Sequence, residues 1–211
     1  MTTMTNFQVY DLLNRPRPLW LVKIDLSDLA LYWVDLRECN LSMANLSRSY
    51  LNWADLAGAD LRKADLSLSN LFEAQAQRAV LSEANLSRAN LTRTDFGKAE
   101  MMEVVAVEAN LSRAVLSKAI LIRANLNNSI MSRADLSKAN LAGANLSGVD
   151  LSMASLFDAN LSGANLRGAN LSGADLTAAT LIKADLTDAQ LDGADLTDAI
   201  MPDGSKHPSE S

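Results

Sequence analysis

A large apolar residue returns at every fifth position of this 211-residue chain, from Leu21 to Met201, without a change of phase. Of these 37 central positions, 31 hold leucine, and the other six are Ala76, Phe96, Met101, Ala106, Met131 and Met201. The small position, two residues before each central one from 24 to 199, holds alanine at 26 of 36 sites. A fixed short period over most of a chain predicts a solenoid of stacked repeats.

The five-residue period matches neither the 3.6-residue period of an α-helix nor the two-residue period of a strand. It fits a chain coiled around a square prism, in which each pentapeptide forms one side. The central and small residues then point into the prism, and the other three point outward. Four sides give a coil of about twenty residues, so the repeats predict about nine coils and a rod roughly 43 Å long.

Two features outside the apolar positions support this register. Seven glycines, among them Gly163 and Gly168, lie two residues after a central position. That is the third position of a four-residue turn, where a type II turn requires a positive φ. Asp or Asn precedes most central residues, as at Asp65 and Asn85, and we expect these side chains to hydrogen-bond between coils.

Several runs of the chain resemble one known family. The sequence at 164–173 follows the pattern Ala-Asn-Leu-X-Gly, and Ala-Asp-Leu-Thr stands at 184–187 and 194–197. These runs are similar to pentapeptide-repeat proteins, and the resemblance covers residues 21–203. It implies an all-β fold, a right-handed quadrilateral β-helix. The leucine centres and the ending Ile-Met-Pro-Asp-Gly at 200–204 resemble the leucine-rich members common in cyanobacteria.

The pattern divides the chain into three segments. Residues 1–20 form an N-terminal cap segment with a short helix, expected to begin at Thr5 or Asn6, run to about Asn14 and stop at the prolines that follow. Residues 21–203 form the β-helix, and 204–211 a flexible polar tail. The predicted helix serves as a lid on the first coil, because an open β-helix exposes backbone groups at its ends.

Charge and composition exclude several classes of function. The net charge is −6, and residues 141–211 carry ten acids against three bases, whereas residues 76–140 carry nine bases against six acids. Direct nucleic-acid binding is therefore unlikely to be the function, since such proteins are basic over their binding domain. With one cysteine, Cys39, and one histidine, His207, we predict no disulfide framework, no metal site and no cofactor.

Targeting signals are not apparent in the sequence. The start of the chain lacks a basic region followed by an apolar core, so we predict no signal peptide. Residues 19–34 are apolar, but Lys23, Asp25 and Asp28 interrupt them, which argues against a membrane span. A cytoplasmic protein is the default prediction.

Residues twenty apart lie above one another in the predicted fold, which sorts the exterior into four faces. One face, called the tryptophan face below, collects five aromatic residues and then three arginines, namely Tyr32, Trp33, Tyr50, Trp53, Phe72, Arg93, Arg113 and Arg133. Exposed aromatic rings beside arginines are typical of a partner-binding surface. The alternative is that the N-terminal segment, with Trp20, folds over these rings.

Two further surface features follow from the same register. The adjacent face stacks Arg78, Lys98, Lys118 and Lys138, which either form a solvated face or bind an anion or an acidic partner. A second candidate patch has apolar residues at positions that are usually polar, namely Val80, Met102, Ile120 and Ile122. Because Ala76 and Ala106 replace large central residues, the coils between about 72 and 108 are predicted to be the weakest.

These features favour a non-catalytic protein-interaction or scaffold protein with a regulatory role, which binds an unknown protein partner through an outer face. The resemblance implies an alternative, a DNA-mimic protein acting on a type II topoisomerase (gyrase). The basic middle of this chain argues against it, because it would interrupt the negative surface that imitates DNA. An enzyme is not predicted, because the chain has no catalytic constellation and a filled prism is not expected to carry a pocket. A bare final coil makes a homodimer through the C-terminal coil possible.

Overall fold

A computed structural model describes residues 11–12 and 18–208, and the chain from residue 18 onward winds into stacked square coils. Single-residue parallel β-bridges join every fifth residue to the residue twenty positions later, from Trp20 with Asn40 to Thr180 with Ile200. Each coil therefore takes twenty residues, as the five-residue period predicts. Each of the four sides of a coil contributes one bridge residue. The described residues form no strand longer than a single bridge residue.

Tight turns form the corners of the square. All 36 residues from 23 to 198 that lie two places after a central residue have a positive φ, and 29 of them are not glycine. The N–H of the next residue donates to the carbonyl of the central residue, as Ala164 does to Leu161 at 3.0 Å. A type II turn requires a positive φ at this third position. The positive φ that the register predicts is therefore present at every corner from residue 23 to residue 198.

The prism is filled by the residues at the central and small positions. Central leucines such as Leu56 and Leu116 have no exposed surface, and nearly all the alanines between them are equally buried. One large and one small side chain on each side fill the space at the density of a protein interior. Cys39 occupies a small position and is fully buried, as predicted.

Asparagine and aspartate side chains support the outside of the walls. The Oδ1 of Asp65 accepts the N–H of Ser67 at 3.0 Å, which satisfies a donor of the turn, and also the Nδ2 of Asn85 one coil away at 3.1 Å. Similar bonds between coils join Asn160 to Asn140 and Asn170 to Asp150. The predicted hydrogen bonding between coils is therefore present.

The first coil differs from the others in its small positions. These positions hold Ile24, Leu29 and Val34, which are partly buried and pack against the core. Larger residues here cover the end of the prism, beneath which the described residues form no earlier coil. Of the predicted N-terminal helix, only Asp11 and Leu12 belong to the described residues; both are helical, and Leu12 packs against the core. The rest of that helix lies outside the described residues.

Residues of unusual size inside the prism compensate for one another. Phe96, the bulkiest fully buried residue, occupies the same inner column as Ala76, one coil further along. In the segment 104–106, the sizes are exchanged, since the small position holds Val104 and the central position holds Ala106, both fully buried. Each of the two central alanines, Ala76 and Ala106, thus has a residue of more than the usual size at a neighbouring inner position.

The last coil is open. Leu186, Leu191 and Leu196 are partly exposed, and their backbone N–H groups have no partner among the described residues. The chain then turns back, and Lys206 forms an antiparallel bridge with Ile200 and an ion pair of 2.7 Å with Asp198. Residues 204–208, assigned to a flexible tail from the sequence, are therefore held against one side of this coil.

Candidate interaction surface

The tryptophan face is built from the three outward positions of one side of the prism. Trp33 and Trp53 occupy the third turn position, Tyr32 and Phe72 the position before it, and Tyr50 the bridge position. Because these positions repeat every twenty residues, the rings lie on consecutive coils. The structure thus brings together the five aromatic residues that the register predicts.

The rings contact one another in three pairs. Trp33 and Trp53 are stacked, with centroids 4.7 Å apart and an angle of 8° between their planes. The ring of Phe72 meets Trp53 edge-on at 5.9 Å, and Tyr32 lies 5.7 Å from Tyr50. Stacked and edge-to-face pairs each add about 1 kcal/mol beyond area burial. The cluster is therefore a pre-formed surface.

Glu73 joins the tryptophans to the arginines. Its Oε2 accepts the Nε1–H of Trp53 at 3.0 Å, and its Oε1 pairs with Arg93 at 2.8 Å. The Arg93 guanidinium, and after it the Trp53 donor, hold the pKa of the Glu73 carboxyl below its ordinary value of 4.5. The sequence analysis missed Glu73, although its position twenty residues after Trp53 and before Arg93 signals this role.

The other two arginines of the face are not paired in this way. Arg113 and Arg133 form no salt bridge with any residue in the described part of the chain. The next residue in their column, Met153, is 60% exposed. The column therefore runs from stacked indoles, through an ion pair, to two unpaired guanidiniums and an exposed thioether.

A buried amide lies inside the aromatic cluster. Asn52 stands at the same turn position as Tyr32 and Phe72, on the coil between theirs. It is only 8% exposed. Its Oδ1 is buried without a hydrogen-bond partner among the residues that the structure describes. An unpaired buried carbonyl costs free energy, since the water it would otherwise bind is excluded.

The rings of the face are open to solvent. Trp33 is 70% exposed, and Tyr32 and Tyr50 are each close to half exposed. Trp20, the residue expected to cover them in the alternative interpretation, is itself 78% exposed. In this structure Trp20 does not shield the face.

The second candidate patch is less exposed than the tryptophan face. Met102 is 41% exposed, whereas Val80, Ile120 and Ile122 are half-buried on the wall. Val80 and Ile120 stand at bridge positions, where they cannot form the bonds between coils that asparagine forms elsewhere on the wall. The patch is apolar but contains no ring contacts of the kind seen on the tryptophan face.

Open hollows lie on the exterior of the described residues, although a filled prism is not expected to have a pocket. One, of about 490 Å³, lies between Arg78, Lys98 and Val115, and another, of about 420 Å³, lies at the last coil beside Leu196 and His207. Within residues 11–12 and 18–208, no group of three His, Cys, Asp or Glu residues is arranged to hold a metal ion. The same residues include no helix of the length and apolarity needed to cross a membrane.

Stacked twenty-residue coils with tight turns at their corners define a β-solenoid of pentapeptides whose outward side chains form its outer faces. The pentapeptide repeats family model matches eight copies in residues 31–67, 69–105, 109–148 and 159–198. The chain belongs to the pentapeptide-repeat family. Its members fold as right-handed quadrilateral β-helices.

Solved structures similar to this chain include two cyanobacterial proteins. HetL, a pentapeptide repeat protein involved in heterocyst differentiation regulation in Nostoc sp. strain PCC 7120, is 32% identical over 98% of this chain and 100% of its own, with a TM-score of 0.40. Rfr23 from Cyanothece 51142 is 31% identical over 55% of this chain and 86% of its own, with a TM-score of 0.26.

A third solved structure is also similar to this chain. QnrB1, a plasmid-mediated fluoroquinolone resistance protein, is 20% identical over 79% of this chain and 90% of its own, with a TM-score of 0.44. The comparison with curated proteins gave no match.

Proposed function

We propose that this protein is a non-catalytic interaction or scaffold protein, with a regulatory role, which binds a protein partner through the tryptophan face. The observation that carries this proposal is the exposed stack of Trp33 on Trp53, continued by the free guanidiniums of Arg113 and Arg133. Tryptophan, tyrosine and arginine are the residues most enriched at the energetic centres of protein interfaces.

Three features of the face support a binding role over a structural one. Trp33 stacks through one side of its indole and leaves most of its surface in water, so it contributes little to the core. Glu73 fixes the orientation of Trp53, which lowers the entropy lost when a partner binds. Arg113 and Arg133 form no salt bridge with any described residue, so a carboxylate of the partner can pair with them.

Affinity capture from a lysate of the source cells tests this proposal. The test variant carries Trp33→Ala and Trp53→Ala, and the control is Trp20→Ala, which removes an indole of similar exposure from another face. We expect a partner retained by the wild type and the control to be lost from the test variant, while circular dichroism shows that all three are folded. Equal capture by all three proteins would contradict the proposal.

Two further predictions are part of the same proposal. A homodimer through the C-terminal coil is supported by the partly exposed Leu191 and Leu196 and by unpaired N–H groups at that edge, which a second copy can cover. Its test is sedimentation of the wild type and a Leu191→Glu variant.

The predicted cytoplasmic location is tested by fractionation of source cells.

A further inference from the structure

The third turn positions stack into four columns along the rod, and three of these columns contain ion pairs between neighbouring coils. Examples are Lys63 with Glu83 at 3.3 Å and Arg88 with Glu108 at 2.8 Å. The fourth column holds four successive cations, the basic ladder: Arg78, Lys98, Lys118 and Lys138. None of the four forms a salt bridge with any described residue.

The basic ladder is a charge arrangement that the fold itself does not require. Like charges at the coil spacing of about 4.8 Å repel one another, whereas an acid on a neighbouring coil removes that repulsion, as Glu83 does beside Lys63. The ladder ends where Lys138 lies 6.0 Å from the ring of Phe157 and the column continues with Asp158. An external anion can therefore bind these cations without first breaking an internal ion pair.

A groove runs beside the first half of the ladder. It is the hollow of about 490 Å³, and its lining includes Gly58 and Gly97 next to Arg78 and Lys98. The lining holds two acids, Glu38 and Asp95, of which Asp95 lies beside Lys98. The Asp95 carboxylate accepts hydrogen bonds from the N–H of Gly97 at 2.8 Å and from the Nε2–H of Gln77 at 2.6 Å. These neutral donors hold Asp95 against the wall. Because Gly58 and Gly97 have no side chains, the groove has room for an element of the width of an α-helix.

The spacing of the ladder matches that of acidic residues on an α-helix. Carboxylates at positions i, i+3, i+7 and i+10 of a helix lie on one face at about 0, 4.5, 10.5 and 15 Å along its axis. Cations on four successive coils lie at about 0, 4.8, 9.6 and 14.4 Å. A helix parallel to the rod can thus present one carboxylate to each cation.

We propose that the basic ladder binds an acidic α-helix of a protein partner, aligned with the rod axis over the groove. The net charge of −6, with ten acids in residues 141–211, favours an acidic protein segment over a nucleic acid, whose long phosphate chain would also meet those acids. This site uses a different face from the tryptophan face, so either can exist without the other.

The test uses the full-length protein and a labelled synthetic probe at low ionic strength. The probe is an alanine-rich helical peptide with glutamates at i, i+3, i+7 and i+10, and a second peptide has the same composition with its glutamates distributed around the helix. The test variant is Lys98→Glu with Lys118→Glu. The matched control is Lys23→Glu with Lys183→Glu, which makes the same charge change at the same turn position of another face.

We expect the patterned peptide to bind the wild type at least about tenfold more tightly than the distributed one, and the test variant to lose about tenfold or more. The control, and the Trp33→Ala, Trp53→Ala variant, should bind within about twofold of wild type. Equal binding of both peptides, equal losses in test and control variants, or tighter binding of a duplex DNA of similar charge would each overturn the proposal.

Discussion

Trp33 and Trp53 stack with their centroids 4.7 Å apart, although twenty residues separate them in the sequence. The distance is close to the spacing of neighbouring strands, so the repeat itself sets the separation of the rings. Any two aromatic residues at the same turn position of successive coils can stack in this way. The coil therefore converts a sequence spacing of twenty into a continuous aromatic surface.

Acid is expected to loosen the contact between Glu73 and Trp53. Since the pKa of Glu73 lies below its ordinary value of 4.5, its ionised form stabilises the folded state above that pH. The contribution is lost as the pH falls below 4.5 and through the lower folded value. We expect the NMR signal of the Trp53 indole N–H to shift over this range in the wild type.

The matching variant is Glu73→Gln, which keeps an acceptor for Trp53 but cannot ionise. Its indole signal should stay constant through the same acid range, and Arg93 should lose its partner. If the variant titrates like the wild type, another carboxylate governs the indole and the assigned contact is wrong.

Truncation of a central leucine should cost more in the middle of the rod than at its open end. Leu116→Ala removes a fully buried side chain and should reduce the free energy of unfolding by about 2–5 kcal/mol. Leu196→Ala should cost clearly less, because that side chain is already partly exposed. Urea denaturation followed by circular dichroism measures both, and equal losses would show that the last coil is covered in solution.

Filling the Ala76 position should destabilise the protein instead of repairing it. If the ring of Phe96 occupies the volume that a leucine at 76 would need, Ala76→Leu should cost about 1–3 kcal/mol through overpacking. Adding Phe96→Leu to that variant should restore part of the stability. Stabilisation by Ala76→Leu alone would mean that the prism has a void there, as the sequence-based expectation of weak coils over 72–108 implies.

Gly163 offers a direct measurement of the cost of the turn conformation. Its φ is +65°, and no atom lies within 4 Å of an added Cβ, so Gly163→Ala changes little except the backbone preference. We expect a loss of about 1 kcal/mol in the free energy of unfolding. Lys183 stands at the same turn position one coil further along. Lys183→Gly should raise the free energy of unfolding or leave it unchanged. A neutral Gly163→Ala would show that stacking of the coils fully offsets the strain.

The fold was predictable from the sequence because the repeat leaves only one way to bury its leucines. The central and small positions, the twenty-residue coil and the positive φ at the third turn position all follow from counting along the chain. The stacked register also predicts which outward residues share a face, as with Tyr32 and Tyr50. These properties were predictable because the same five-residue pattern recurs in every repeat.

Contacts between particular side chains were less predictable. Glu73 joins Trp53 to Arg93 through rotamers that the period does not specify. The burial of Asn52 depends on the size of its aromatic neighbours, and the return of Lys206 to Ile200 lies beyond the last repeat. Such features depend on local geometry at single positions, where no periodic signal exists.

The most direct test of the proposed interaction surface is photo-crosslinking in source cells from a benzoylphenylalanine placed at position 32. This residue keeps an aromatic ring where Tyr32 stands, beside the stacked indoles. The control probe stands at position 182, the same turn position on another face, where Ile182 is similarly exposed. We predict a discrete protein adduct from position 32 that is absent from position 182 and is lost when Trp33→Ala and Trp53→Ala are added. No adduct from position 32, together with one from a probe at position 122, would place the interaction on the second patch and contradict the account.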